Sequence, residues 1–380
     1  TFNKDKIREL FRSGKMPTAD AMVDEIVLRA VKADATELHI EPAENELRIR
    51  LGREGVLRRL ISLPKEISEN IGNVLKTKAN INAFEKKKPQ EGRFAATYGT
   101  YKVEIRVSTL PVLSGERFAL RFVYKSQPIQ KLENLGFSPE NLDRFTNLLK
   151  RASGLLLVTG PSGSGKSTLV YSAVNYLQGP NKNIITVENP IEDRLDFASQ
   201  VAASSDKSFG IVEALKAILR QSPNIIMVGE IRDAETGTVA AEAALTGNLV
   251  LSSILSNDAI GGILRMLNLG VPPYWLSTAL VGIVHQQLLR KICDECKEEY
   301  EPSSEENASL FTVISGRNKF HRGKGCSKCD NTGYFGRTPI HEILIITDLM
   351  RDLIYEQASL IRIREAARLG GFENILQDAV

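Results

Sequence analysis

Leu155-Leu156-Leu157-Val158-Thr159-Gly160-Pro161-Ser162-Gly163-Ser164-Gly165-Lys166-Ser167-Thr168 is the stretch whose reading decides the fold. An apolar run short enough for a buried parallel strand ends at a glycine. The chain then reads G-x-x-x-x-G-K-S and enters a helical pattern at 169–177. Gly160, Gly163 and Gly165 have no Cβ, so the backbone can turn its N–H groups inward around an oligophosphate at the positive end of the helix. Lys166 is placed to reach the β- and γ-phosphates, and the Ser167 hydroxyl to ligate Mg²⁺. Ser162, Gly163, Ser164, Gly165, Lys166, Ser167 and Thr168 are therefore read as binding ATP with Mg²⁺, in preference to a glycine-rich turn with a chance lysine.

Downstream, the run at 183–187 reads as a second buried strand and ends in Glu188-Asn189-Pro190-Ile191-Glu192. Acids at the carboxyl end of such a strand stand where ligands bind, so Glu188 is a candidate for positioning water or supporting Mg²⁺. The apolar run at 225–228 delivers Gly229-Glu230-Ile231-Arg232-Asp233 to the same edge. Glycine stands at 229 where many nucleoside triphosphatases carry aspartate, which leaves Glu230 to orient water against the γ-phosphate. A further strand at 248–252 and helices at 234–245 and 259–267 complete alternating βα units and a mainly parallel sheet.

Upstream, helical spacing at 20–31 and 67–79 and alternation at 38–42, 46–51, 92–96, 101–109 and 116–124 describe an α+β domain without a P-loop. Arg93, Arg106 and Arg121 sit in or beside its strands, where guanidinium groups can face phosphate oxygens; solvated strand arginines are the plainer reading. A polar connector at 125–133, containing Pro128, follows. The organisation read here is an N-terminal α+β domain at 1–124, a linker at 125–133 and a C-terminal P-loop domain at 134–380, with an insert at about 291–340.

The chain has 380 residues and is 42% hydrophobic, enough for more than one core; 49 Lys and Arg against 46 Asp and Glu leave a charge of +3, which calls for no nucleic acid. No apolar run approaches the roughly 18–20 residues that span a bilayer. Residues 1–12 have a helical pattern without the apolar core of a signal peptide, so a soluble, intracellular chain is expected, and a start at Thr1 leaves room for an upstream region. The four cysteines fall as two C-x-x-C pairs, Cys293/Cys296 and Cys326/Cys329, which reads as a closed tetrahedral Zn²⁺ site and not a disulfide framework. The spacer from Cys296 to Cys326 exceeds that of a compact ribbon and contains a polar stretch at 298–307, so an excursion carrying a loop is expected. His39, His285, His321 and His341 show no ligand spacing to one another.

Together these residues resemble the hexameric secretion ATPases that drive type II secretion and type IV pilus assembly. The likeness runs through Ala35-Thr36-Glu37-Leu38-His39-Ile40-Glu41-Pro42, Arg48-Ile49-Arg50 and Pro89-Gln90-Glu91-Gly92-Arg93-Phe94. It continues in Arg106-Val107-Ser108-Thr109-Leu110-Pro111, the P-loop, Glu188 to Glu192, Leu219-Arg220-Gln221-Ser222-Pro223 and the run into Asp233. It ends in Gly325-Cys326-Ser327-Lys328-Cys329 and Thr332-Gly333-Tyr334-Phe335-Gly336-Arg337; the tetracysteine insert is similar to that of the assembly ATPases, and retraction ATPases typically lack it. The resemblance implies an α/β, RecA-like P-loop ATPase domain preceded by a smaller PAS-like α+β domain. It also implies a homo-hexamer at the cytoplasmic inner-membrane face of a bacterium, peripheral to the membrane only through its partners and acting on a platform protein. Arginines matching Arg93 and Arg106 would approach ATP in the cleft between the domains. The chain departs from the family pattern at four positions. Asn248 and Leu255 replace the histidines of a histidine box, Asn189 replaces an acid, and Gln287 replaces an arginine. Without the two histidines, a nucleotide-binding scaffold with little turnover is the alternative function.

Overall fold

A computed structural model describes residues 18–98, 101–124, 129–204, 209–301, 303 and 320–378. The chain divides into two compact units, Thr1–Pro128 and Ile129–Val380. The helical pattern at 1–12, part of the connector at 125–133 and half of the polar stretch at 298–307 lie outside the described residues.

In the first unit, α1 (Ala19–Lys32) is followed by β1 (Glu37–Pro42), β2 (Glu46–Arg53), β3 (Val56–Pro64), α2 (Ser68–Lys78), β4 (Gln90–Tyr98), β5 (Tyr101–Val112) and β6 (Gly115–Tyr124). The strands form one sheet in the order β3-β2-β1-β6-β5-β4, antiparallel at every pairing. Alternation along β4 and β5 gives that sheet one wet face. Its other face buries Leu38, Ile40, Ile49, Ile105, Val107, Phe118 and Leu120 with Val23, Ile26, Val27 and Ala30 of α1 and Ile71 and Leu75 of α2. The strand at β3 had no counterpart in the sequence reading. As an edge strand carrying Arg58 and Arg59 in succession, it breaks the period-2 signal.

The second unit opens with α3 (Pro139–Leu149), then β7 (Gly154–Thr159), α4 (Lys166–Leu177), β8 (Ile184–Glu188), β9 (Ser199–Ala202), α5 (Ile211–Ile218), β10 (Ile225–Glu230), α6 (Ala234–Leu245) and β11 (Leu249–Ile254). After these come α7 (Ala259–Leu269), α8 (Pro273–Ala279), β12 (Leu280–Ile292), β13 (Lys297–Tyr300), β14 (Phe320–Gly323), β15 (Tyr334–Ile345), α9 (Asp348–Tyr355), α10 (Leu360–Leu369) and α11 (Ile375–Asp378). Seven strands form a sheet in the order β15-β12-β7-β11-β10-β8-β9. All pairings are parallel except β12 with β15, so the sheet is mainly parallel, as its continuous apolar runs lead one to expect. β7, β8 and β11 are buried at every position, with one core cluster on each side of the sheet. The order also places β7 beside β11, so the carboxyl ends of β7, β11 and β10 lie next to one another.

Candidate nucleotide site and cysteine cluster

β7 ends at Thr159 and the chain turns through Gly160, Gly163 and Gly165, at φ values of +150°, +76° and +86°, before α4 begins at Lys166. Gly165 is the helix cap, and among the described residues no side chain caps the first-turn amides. Those N–H groups of Lys166, Ser167 and Thr168 form the positive end of α4, a position suited to an anion. Lys166 turns back, its Nζ donating to the carbonyls of Gly160 at 2.9 Å and Pro161 at 2.8 Å. Burial pushes the Lys166 ammonium below its ordinary pKa, while Glu230 and Glu192 pull it the other way. The buried Ser164 hydroxyl and the half-buried Ser167 hydroxyl make no hydrogen bond among the described residues. These hydroxyls, the bare amides and the nearby acids make a donor set of oxygens and N–H groups that fits a phosphate chain and a hard cation such as Mg²⁺.

The two acids singled out in the sequence differ in their surroundings. Glu188, at the end of β8, is buried; its carboxylate accepts from Tyr171 Oη, from Thr186 Oγ1 at 2.7 Å and from Gln200 Nε2 at 3.1 Å. The Tyr171 oxygen also accepts the N–H groups of Glu192 and Asp193, each at 3.2 Å, so one hydroxyl on α4 pins the whole acidic loop. Burial, then Glu192 and Glu188, push the Asp193 carboxyl above its ordinary value. Among the described residues Glu230 pairs with Arg232, whose Nε donates to it at 2.7 Å, and it retains 23% side-chain exposure. A bulge between Val228 and Glu230 turns it out of the ladder. Glu230 therefore stands at the rim of the sheet, lining a cavity of about 340 Å³ with Arg232, Leu255 and Arg265.

The positions expected to carry histidine prove far apart. Asn248 lies before β11, where its carbonyl accepts from Gly154 N at 3.0 Å and its Nδ2 donates to the Ala243 carbonyl at 2.8 Å. It thus closes the end of α6 at the amino edge of the sheet. The six residues of β7 and β11 put it about 20 Å from the P-loop. Leu255 immediately follows β11 and lines the cavity that holds Glu230. Only Leu255 can bear on phosphate chemistry in its own chain.

In the first unit, Arg93 pairs directly across from Arg106, and Arg106 across from Arg121. Directly opposed residues share a face, so the three guanidinium groups form one row across β4, β5 and β6. Glu104 Oε1 lies 3.9 Å from both Arg93 and Arg106. Like charges set opposite one another are destabilising, which makes this row a surface ready for an anion.

The sulfurs of Cys293, Cys296, Cys326 and Cys329 all lie within 4.8 Å of one another. Sulfur separations are 3.8 Å for Cys293–Cys326, 3.8 Å for Cys296–Cys329 and 3.7 Å for Cys326–Cys329. A tetrahedron with thiolates about 2.3 Å from a central zinc has edges of about 3.8 Å, so the four residues fit one such ion. Gly325 N donates to Cys296 Sγ at 3.3 Å, and Cys326 N and Gly333 N to Cys329 Sγ at 3.2 Å each, the bonds that favour thiolates. Positive φ at Gly325, Asp330, Asn331 and Gly333 turns the knuckle, while β13 and β14 pair as a small separate sheet carrying the excursion.

A family model described as type II/IV secretion system protein matches residues 13–380. The chain belongs to that family. Among this family's curated members it is 38% identical over 365 residues to the type IV pilus assembly ATPase PilB of Thermus thermophilus, covering 95% of this chain and 41% of that protein. It is also 38% identical over 337 residues to the type II secretion system ATPase E of Vibrio cholerae, covering 89% of this chain and 67% of that one. The chain thus spans less than half of the first relative and about two thirds of the second. Among solved structures, the ATPase DotB of Legionella pneumophila superposes with a TM-score of 0.64 at 20% identity, over 92% of this chain and 87% of that one, a likeness of fold. The pilus retraction motor PilT, solved with bound ADP, gives a TM-score of 0.58 at 25% identity over 93% and 90% of the two chains.

Sequence spacing missed the residues behind the P-loop. His285 and His341 are fully buried, and burial lowers each to about 4, so both are neutral at physiological pH. His285 Nδ1 lies 3.0 Å from Thr159 Oγ1. Glu342 is buried and accepts from the amides of Ala259 at 2.6 Å and Ile375 at 2.9 Å; burial raises its pKa in spite of them. Their one sequence signal is a run of polar residues, His285-Gln286-Gln287, inside a strand whose neighbours are apolar.

Proposed function

We propose that this chain binds ATP with Mg²⁺ and hydrolyses it to drive type IV pilus assembly or type II secretion. In this reading it is a homo-hexamer acting on an inner-membrane platform protein from the cytoplasmic face of a bacterium. The observation that carries it is the convergence of an open P-loop, with its unbonded Ser164 and Ser167 hydroxyls, on the acid Glu230 across one sheet edge. Lys166 leaves its carbonyl partners to pair with the β- and γ-phosphates, and the amides of α4 hold the same oxygens. The Ser167 hydroxyl would hold Mg²⁺, which would supply neutralisation of the phosphate charge. Glu230 accepts a hydrogen bond from the attacking water and so aligns it, whereas Glu188 already accepts from three side chains and acts by holding Tyr171, whose hydroxyl pins the acidic loop.

Arg93 and Arg106 keep in this proposal the phosphate-facing role that the resemblance gives them, and the first unit is PAS-like and the second RecA-like. Zn²⁺ is the ion assigned to the cysteines; four thiolates leave it no open position, so its role is to hold the knuckle. Relatives named as ATPases of both systems, and the ADP of PilT, support the reading.

Phosphate release by purified protein is expected to fall at least ~100-fold in Lys166→Ala. Equal rates in the two proteins would rule against hydrolysis. A second reading, a scaffold that binds nucleotide but turns over little, is favoured by Leu255, which offers no hydrogen bond beside Glu230.

A further inference from the structure

Behind the P-loop, on the side away from any phosphate, β12 presses against two of its glycines. A Cβ at Gly165 would lie 2.6 Å from Gln286 Nε2, and one at Gly160 would lie 2.4 Å from the Gln286 carbonyl oxygen. Gln286 is buried, and its Nε2 donates to the carbonyl of Ser164 at 2.6 Å. Its Oε1 faces His341 Nε2 at 3.0 Å. The His341 ring stacks on Phe137 with centroids 3.7 Å apart, and its Nδ1 has no hydrogen-bond partner among the described residues.

We propose that Gln286, oriented by His341, is a positioning residue that sets the P-loop backbone for nucleotide, an inference resting on the nucleotide reading above. A glutamine amide can sit either way round. Here its NH₂ end must face the Ser164 carbonyl, because two oxygens there would repel. That leaves Oε1 toward His341, so Nε2 of the imidazole carries the ring proton and donates it. The imidazole thereby selects one amide orientation, and the amide in turn tethers the carbonyl between Gly163 and Gly165. Those two residues have conformations that side-chain-bearing residues rarely adopt, so the loop gains little rigidity from its own sequence. The tether fixes which way the Gly165 amide points, since the Ser164 carbonyl and the Gly165 N–H belong to one planar peptide. Nucleotide then meets a loop already shaped, and the cost of ordering it is not charged against binding.

Calorimetric titration of Mg-ATP into the full chain tests this with wild type, Gln286→Met, His341→Phe and the double variant. Met is close in volume to Gln and lacks the amide; Phe keeps the stack on Phe137 and lacks only the donor. The expected loss of affinity is roughly tenfold for Gln286→Met and about threefold for His341→Phe. In the double variant it is no greater than in Gln286→Met alone, because the imidazole acts through the amide. A merely structural histidine would instead cost the same in both backgrounds, and that result overturns the proposal. So does binding by Gln286→Met within about twofold of wild type. Should Gln286→Met not fold, as judged by thermal unfolding without nucleotide, His341→Phe against Gln286→Asn provides the same comparison. Absence of binding by wild type refutes the nucleotide reading itself, whereas tight binding by wild type and Gln286→Met alike refutes only the tether.

Discussion

The P-loop and the cysteine knuckle use the same device in two states of completion. Each is a glycine-turned segment whose backbone N–H groups converge on one point. In the knuckle the chain supplies its own anions: Gly325, Cys326 and Gly333 amides end on the sulfurs of Cys296 and Cys329. In the P-loop no side chain among the described residues caps the amides of α4, and the lysine that would balance a phosphate instead bonds two carbonyls of the loop. One device is completed by side chains of the chain itself; the other, on the function proposed above, is completed by a ligand. The contrast teaches that a turn of amides suits permanence or exchange according to who brings the charge.

The largest expected effect separates the two devices. Cys326→Ser with Cys329→Ser, or chelation, should release about one metal per chain and open the 293–333 segment, because metal affinity there is folding free energy. Amide exchange should rise in that segment and leave β7, β11 and β10 protected. Protein purified without chelator and found free of metal would remove the basis of the contrast.

A smaller effect concerns what holds the open device from behind. His285 and His341 titrate near 6.5 when unfolded and about 4 when folded, so between these values the unfolded chain binds more protons. Stability is therefore complete above about pH 6.5 and falls as pH drops toward 4, by up to about 1.4 kcal/mol per unit for each histidine. Thermal midpoints measured across that range in the metal-free serine variant, where thiolate protonation plays no part, should show the slope. His341→Phe should reduce it, and an unchanged slope would remove His341 from this account.

The smallest effects lie at the two ends of β11. Leu255→His should raise phosphate release several-fold, since a hydrogen-bonding group then stands beside Glu230; Asn248→His should leave release unchanged and cost about 1 kcal/mol by breaking the bond to Ala243. A rise in turnover from Asn248→His alone would break the assignment of one end of the strand to chemistry and the other to packing.

The P-loop strand, the acids at 188 and 230 and the paired cysteines were legible because each signal is contiguous: an apolar run, a glycine spacing, a C-x-x-C. The mainly parallel sheet was legible for the same reason, through its unbroken buried strands. β12 and β15 were not. β15 contains Gly336 and Pro339, which argue against a strand, yet it is the edge of the sheet, where a missing N–H at Pro339 need not leave a ladder bond unmade. The layer of His285, Gln286, His341 and Glu342 was hidden because its partners lie on elements 55 or more residues apart, and no local period relates them. The arginine row was half visible: Arg93, Arg106 and Arg121 were each noted, but their alignment depends on strand register, which turn lengths and pairings decide.

Ile292 and Tyr334 face each other across β12 and β15, and Cys293 N donates to the Gly333 carbonyl at 2.9 Å just beyond them. The polypeptide therefore departs and comes back through adjacent points of one ribbon. A two-residue hairpin could bridge that gap and delete the whole excursion without disturbing the sheet. The cysteine-bearing appendage is in that sense a removable cartridge, and a shortened chain lacking it should remain a complete α/β domain.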